Sequence, residues 1–151
     1  MKTIELKKIT QEELNDILAK HGEWLESNKR GKRADLSYRD LSGLNFKGAD
    51  LQGVNLKGAS LKEANLNGTD LRGANFESAD LTGARLVNAT LSCANLSNTN
   101  LHRANLTGVN LREAKLTFAT FFSAILSDTS FEGAIFIDGW EITRSAQAEV
   151  A

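Results

Sequence analysis

The chain has 151 residues with a formal net charge of −1, 41% hydrophobic residues and 25% charged residues. This length suits one domain, and this balance is typical of an ordered globular protein and excludes a disordered one. The near-zero net charge excludes a general attraction to nucleic acid or anionic lipid. Such a partner would have to be held by a local basic patch. The one cysteine, Cys93, cannot form an internal disulfide, which agrees with a reducing compartment.

The N-terminal segment, residues 1–33, contains the first predicted element, a helix over about residues 11–27. Thr10 is the expected N-cap and Glu13 completes a capping box. Apolar side chains recur on one face at helical spacing. They are Leu14, Ile17, Leu18, Trp24 and Leu25, with His21 packed among them. We expect this face to cap the open end of the structure that follows.

The first residues mix charged and apolar side chains, so they do not resemble a signal peptide, and no later run is long enough to cross a membrane. We therefore expect a cytoplasmic protein without a membrane partner. The basic run NKRGKR, residues 28–33, has two interpretations. It is a nucleic-acid patch, or it is a solvated helix end, where cations are favourable and Gly31 terminates the helix; we favour the second.

Residues 34–138 form twenty-one consecutive five-residue repeats without insertion or deletion. Every central position is Leu or Phe, and the position two residues earlier is Ala in fourteen repeats and Thr or Val in five. Neither a helix nor a strand has a five-residue period. If the backbone bends once per repeat, four bends close a coil of twenty residues whose lumen is filled by alternating large and small side chains. Stacked coils would then place each residue over the one twenty positions later.

The last position of the repeat holds most of the glycines, and Gly or Asn there is typical of the third residue of a type II turn, which needs a positive φ. Five repeats have residues at this corner that resist a positive φ. They are Glu63, Cys93, Arg103, Glu113 and Phe118. We therefore predict mixed corners, with type II turns in the N-terminal coils and other turn classes towards the C-terminus.

The repeats ADLQG, VNLKG, ANLNG and TDLRG resemble those of the pentapeptide-repeat family, and the resemblance covers about seventy per cent of the chain. It implies an all-β solenoid, a right-handed quadrilateral β-helix, here of about five coils with an N-terminal α-helical cap. The repeats AILSD and AIFID depart from the pattern because Ile replaces the usual Asp or Asn. Some members of the family resemble duplex DNA and bind type II topoisomerases.

The C-terminal end carries apolar side chains at positions that face water elsewhere in the repeat. They are Phe118, Phe122, Ile125, Ile135 and Ile137, followed by Trp140 and Ile142 in the tail, residues 139–151. Such a group requires a cover. Two covers remain open: the tail folds back over the end, or a second copy of the chain docks there as a homodimer.

The sequence contains no arrangement of residues typical of catalysis, cofactor binding or metal binding. Of the two histidines, His21 lies on the predicted helix and His102 at an outward position of the repeat, and twenty-residue stacking places neither beside Cys93. The Asp and Asn columns lack a convergent oxygen cage for calcium. We therefore predict a non-enzymatic rigid scaffold that binds an unidentified protein. The alternative is a DNA-mimicking binder of a type II topoisomerase. The repeats carry nine Lys and Arg against eleven Asp and Glu, and this net charge of −2 is small beside one charge per about 1.7 Å of duplex.

Overall fold

A computed structural model of the chain describes residues 5–27 and 30–136. In chain order the elements are a short strand β1 (Lys7–Lys8), a helix α1 (Gln11–Glu26) and a short strand β2 (Arg39–Asp40), and the repeats follow as a continuous series of turns and single β-bridges. No helix in the described residues is long and apolar enough to span a membrane. Ile137, Trp140 and Ile142, with the rest of the predicted tail, lie outside the described residues.

The repeats stack through a parallel ladder whose partners are always twenty residues apart. The bridges in the described repeats begin with Asp35 and Asn55 and continue at every fifth residue to Lys115 and Ile135. From Leu36 to Leu116, the N–H of each central residue donates to a carbonyl nineteen residues ahead, as from Leu36 to Asn55 at 2.8 Å. With one corner per five residues, a pairing interval of twenty gives each coil four sides. The predicted stacking of residue n over residue n + 20 is confirmed.

The core fills the lumen of the solenoid, where central Leu and Phe side chains from all four sides interleave with small ones. Central residues from Leu36 to Leu116 are buried, and so are most of the Ala and Val residues two positions before them. Three of these small positions hold threonine, and all three hydroxyl groups donate to backbone carbonyls: Thr69 to Leu66 at 2.7 Å, Thr99 to Phe76 at 2.8 Å and Thr129 to Leu106 at 2.9 Å. The lumen therefore accepts a hydroxyl only where a backbone acceptor lies within reach.

The corners are uniform, so the prediction of mixed corners is wrong. All twenty described corner residues from Tyr38 to Gly133 have φ between 54° and 71°, including the five expected to avoid it: Glu63, Cys93, Arg103, Glu113 and Phe118. The reason lies in the ladder, because the corner N–H donates to the next coil, as from Glu63 to Thr82 at 2.9 Å. A residue in the left-handed conformation costs about 1–2 kcal/mol. A different turn class at the corner would break that hydrogen bond and disturb the packing of the adjacent buried central residue.

The Asp and Asn side chains just before the central residues form hydrogen bonds with the nearby backbone. One backbone N–H per repeat, on the residue after the central one, has no partner in the ladder. In all thirteen repeats with Asp or Asn at this place, Oδ1 accepts from that N–H, as Asn110 does from Arg112 at 3.0 Å. In the repeat of Arg85, the Oδ1 of Asn67 reaches across from the previous coil to the N–H of Val87 at 2.9 Å. Side-chain oxygens therefore satisfy this remaining donor in fourteen of the described repeats.

The N-terminal cap supplies hydrogen-bond partners where a coil is missing. The capping box of Thr10 and Glu13 is present, and α1 ends one residue before the predicted limit. Strand β1 pairs in parallel with β2 in place of a preceding coil. On another side the Gln11 carboxamide accepts from the N–H of Asn45 at 2.8 Å and donates to its carbonyl at 2.9 Å. A side-chain amide thus reproduces the two bonds of a β-bridge and covers an otherwise unpaired edge.

Candidate interaction surface

The N-terminal residues proposed as a cap lie at the mouth of the first coil. Leu14 is fully buried in the core, and Ile17 and Leu18 pack against it. Trp24 and Leu25 are half-buried, and Trp24 stacks on His21 with ring centroids 5.4 Å apart. His21 itself is fully buried, and its Nδ1 accepts from the N–H of Ala34 at 3.0 Å. This end of the solenoid is therefore closed by packing and by specific polar contacts.

The opposite end exposes a group of large apolar side chains. Phe118 is 66% exposed, Phe122 74%, Ile125 45% and Ile135 57%. Because residues twenty apart share a side, these four are distributed over three consecutive sides of the last described coil. The structure therefore arranges them as a band around the end of the solenoid rather than as one flat patch. We call these four residues the C-terminal band.

One member of the band is held in place by a ring below it. Phe122 stacks on His102, the residue twenty positions earlier, with centroids 5.1 Å apart and planes inclined by 7°. The stack orients the Phe122 ring against the wall while most of its surface stays exposed. A side chain that is both exposed and oriented loses little conformational freedom when a partner covers it. Sequence periodicity contained this signal, because His102 and Phe122 share one column.

The core beneath the band is also less well covered than the core elsewhere. Phe121, Phe131 and Phe136 occupy central positions and are only partly buried, whereas earlier central residues are buried. Their rings form an aromatic cluster. The ring centroids are 6.2 Å apart for Phe121 and Phe131, and 6.0 Å apart for Phe131 and Phe136. The N–H groups of Ser123 and Asp128 find no ladder acceptor within the described part of the chain. Within the described residues, this end therefore combines apolar surface with ladder donors that have no acceptor.

Potentially reactive side chains lie apart from one another. Cys93 is exposed, and its Sγ lies 3.6 Å from a carboxylate oxygen of Glu113. The His21 ring contacts Trp24 and the His102 ring contacts Phe122, and neither histidine forms a hydrogen bond with Cys93 among the described residues. Within residues 5–27 and 30–136, no three His, Cys, Asp or Glu side chains converge as a metal site would require.

The carboxylates of the wall are held in their charged form by local hydrogen bonds. The Ser37 hydroxyl and N–H lower the pKa of Asp35, and Ser42 acts in the same way on Asp40. Lys57 and Glu77, twenty residues apart, form an ion pair at 3.1 Å, and Arg112 pairs with Glu132 at 3.2 Å. These charges face neighbours in their own columns, whereas each residue of the C-terminal band is between 45% and 74% exposed.

Comparison with known proteins identifies the repeat. The family model for pentapeptide repeats matches residues 32–68, 69–108 and 99–138. A pentapeptide repeat protein from the Arabidopsis thaliana thylakoid lumen is 33% identical over 80% of this chain and 78% of its own, with a TM-score of 0.56. One from the cyanobacterium Cyanothece 51142 is 32% identical over 76% of this chain and 69% of its own, with a TM-score of 0.42. The family's right-handed quadrilateral β-helix is the fold that these matches imply.

One more distant likeness is to a resistance protein. QnrB1, a plasmid-mediated fluoroquinolone resistance protein, is 18% identical over 72% of this chain and 67% of its own, with a TM-score of 0.30. Similarity at this level carries no argument about function. The comparison with curated proteins found no match.

Proposed function

The chain belongs to the pentapeptide-repeat family, and from this premise we propose that it is a non-enzymatic scaffold that binds another protein. In this proposal residues 34–138 form a rigid square rod of about five coils. Pentapeptide-repeat proteins are generally structural or binding proteins. A parallel ladder at every fifth residue provides rigid walls, and a rigid surface binds at a lower entropic cost than a mobile one. We expect no cofactor and no nucleic-acid or membrane partner.

The observation that carries the proposal is the contrast between the two ends. The N-terminal end is closed by α1, β1, Gln11 and His21, whereas the C-terminal band leaves aromatic and aliphatic side chains in solvent. Large apolar side chains at a rim, next to a partly buried aromatic cluster, are typical of interaction surfaces. A partner that covers the band would bury apolar area and could continue the ladder edge.

Two further parts of the proposal concern partner and location. The partner is another protein or a second copy of the chain, because a copy presents the same band and two-fold symmetry would bring two bands together. A reducing cytoplasm fits the exposed, unpaired thiol of Cys93. The topoisomerase alternative receives less support, since the repeats carry a net charge of only −2.

Phe122→Asp should disrupt binding at the band without unfolding the solenoid, because the ring is exposed and the new carboxylate stays in water. We expect proteins captured from a lysate by the wild-type chain to be lost, or a dimer seen by size exclusion with light scattering to become a monomer. Burying one unpaired charge in an interface costs several kcal/mol, so the affinity should fall at least about 100-fold.

Asn98→Asp is the matched control, because it introduces the same single negative charge on an exposed residue in the coil below the band. Its partner list and mass should equal those of the wild type. Unchanged partners and an unchanged mass for Phe122→Asp would show that the band is not the contact surface. A wild-type monomer at micromolar concentration would remove the homodimer from the proposal.

A further inference from the structure

The junction between α1 and the first coil includes one buried imidazole. His21 is fully buried, and its Nδ1 accepts the backbone N–H of Ala34 at 3.0 Å. A ring nitrogen that accepts a hydrogen bond carries no proton, so the ring is neutral and its one proton resides on Nε2. The Trp24 ring stacks on one face of the imidazole, and the two ring planes are inclined by 18°. The helix is therefore attached to the first repeat through the unprotonated form of His21.

The surroundings of His21 favour this neutral form. Burial is the largest influence and lowers the pKa of the imidazole. The Gln52 carbonyl and the carboxylate of Asp50 act in the opposite direction, whereas the guanidinium of Arg33 lowers the pKa further. The balance leaves the pKa of the buried ring below its ordinary value. No carboxylate among the described residues forms a hydrogen bond with the ring that would compensate a positive charge.

We propose that His21 is an acid-sensitive latch, whose protonation releases α1 from the first coil while the stacked coils remain folded. A proton added at Nδ1 would point at the N–H of Ala34, so that a donor faces a donor and the hydrogen bond is lost. The same step would leave a cation buried beneath Trp24. Release of the helix returns the ring to water and removes both penalties.

The direction of the pH dependence follows from the two protonation states. In the released form the ring has an ordinary pKa of about 6.5, whereas in the closed form it binds its proton only at lower pH. Opening therefore takes up one proton below pH 6.5 and none above it. The opening equilibrium should rise about tenfold for each pH unit below 6.5, until the buried ring itself titrates.

The neighbouring carboxylates do not obscure this window. Asp35 and Asp40 form hydrogen bonds with Ser37 and Ser42 that lower the pKa of each carboxyl below its ordinary value of 3.8. Their contribution to stability is present above that value and is lost only at lower pH. Between about pH 4.5 and 6.5 the wall should therefore remain intact while the cap opens.

Amide hydrogen exchange of the full chain, read by mass spectrometry and corrected for intrinsic rates, tests the latch. We expect the opening constant of residues 11–26 to rise from pH 6.5 to pH 4.5, by at most about 50-fold while the buried ring stays neutral, with residues 56–110 unchanged. His21→Asn keeps an oxygen acceptor near the Nδ1 position but cannot be protonated, so its helix should show no pH response. His102→Asn should behave like the wild type.

Three results would overturn the latch. They are a flat pH profile for the wild-type helix, an equal slope in His21→Asn, and a loss of protection shared equally by the repeats. If His21→Asn does not fold, the His102→Asn chain still decides, because His21 is then its only histidine. The nuclear magnetic resonance titration of that ring should coincide with the exchange of the helix amides, and a ring that titrates without helix release would contradict the proposal.

Discussion

Leu71→Ala should lower the free energy of unfolding by about 3 kcal/mol, because it removes a buried side chain from the lumen and leaves a cavity that the neighbouring side chains cannot fill. Leu71 is fully buried, with the Leu51 and Leu91 rungs of its column below and above it. The ladder fixes the distance between coils on all four sides, so the walls cannot collapse around the cavity. Chemical denaturation followed by circular dichroism measures the change.

Arg72→Ala provides the control for Leu71→Ala at the adjacent residue. Arg72 is exposed, and its guanidinium forms a bidentate ion pair with Asp70 on the surface. An exposed pair of this kind contributes about 0–1 kcal/mol, so this variant should remain close to the wild type. If Leu71→Ala cost no more than Arg72→Ala, the lumen would not be the packed core described here.

Gly31→Ala should separate the cap from the solenoid. Gly31 has φ +68°, and a Cβ there would lie 2.7 Å from the backbone nitrogen of Trp24 and 2.6 Å from the Cβ of Glu23, and would also meet the Lys20 carbonyl. These atoms belong to α1 itself and cannot move as a flexible side chain can. The Lys20 carbonyl also accepts the N–H of Lys32 at 3.0 Å, so a shift would break the joint. We expect the helix amides to lose at least about 100-fold protection, because overpacking against backbone costs about 1–3 kcal/mol beyond the backbone strain.

Gly43→Ala is the matched control for this joint. Gly43 has nearly the same φ, +71°, but no atom lies within 4 Å of an added Cβ. Gly43→Ala therefore measures only the cost of placing alanine at a positive φ, which is about 1–2 kcal/mol. Equal effects of the two variants on the helix amides would show that Gly31 matters only for its backbone conformation.

The repeat was predictable because each of its positions has one dominant physical requirement. Central Leu and Phe residues fill the lumen, and the small residue two positions before them gives those side chains room. Corner residues were mispredicted at Glu63 and Phe118 because local preference was weighed without the ladder. The corner N–H is also a donor to the next coil, and many cooperating bonds outweigh one strained φ.

The polar contacts of the walls and of the cap were harder to infer. The Asp and Asn column was visible in the sequence, but its bond to the N–H two residues on depends on which donors the ladder leaves over. Gln11 and His21 each satisfy a backbone group of the first coil, at Asn45 and Ala34. Nothing in a single helix sequence shows which edge it will cover, so these roles appear only when helix and coil are seen together.

Disulfide cross-linking tests the twenty-residue coil most directly. In a Cys93→Ser background, Asn75→Cys and Asn95→Cys should form a disulfide under mild oxidation. The two positions form a parallel bridge, with a strand spacing of about 4.8 Å that falls within the Cα range of disulfides. Asn75→Cys with Thr90→Cys should remain reduced, because fifteen residues lead to a different side of the coil. Cross-linking of the fifteen-residue pair but not of the twenty-residue pair would contradict the four-sided solenoid.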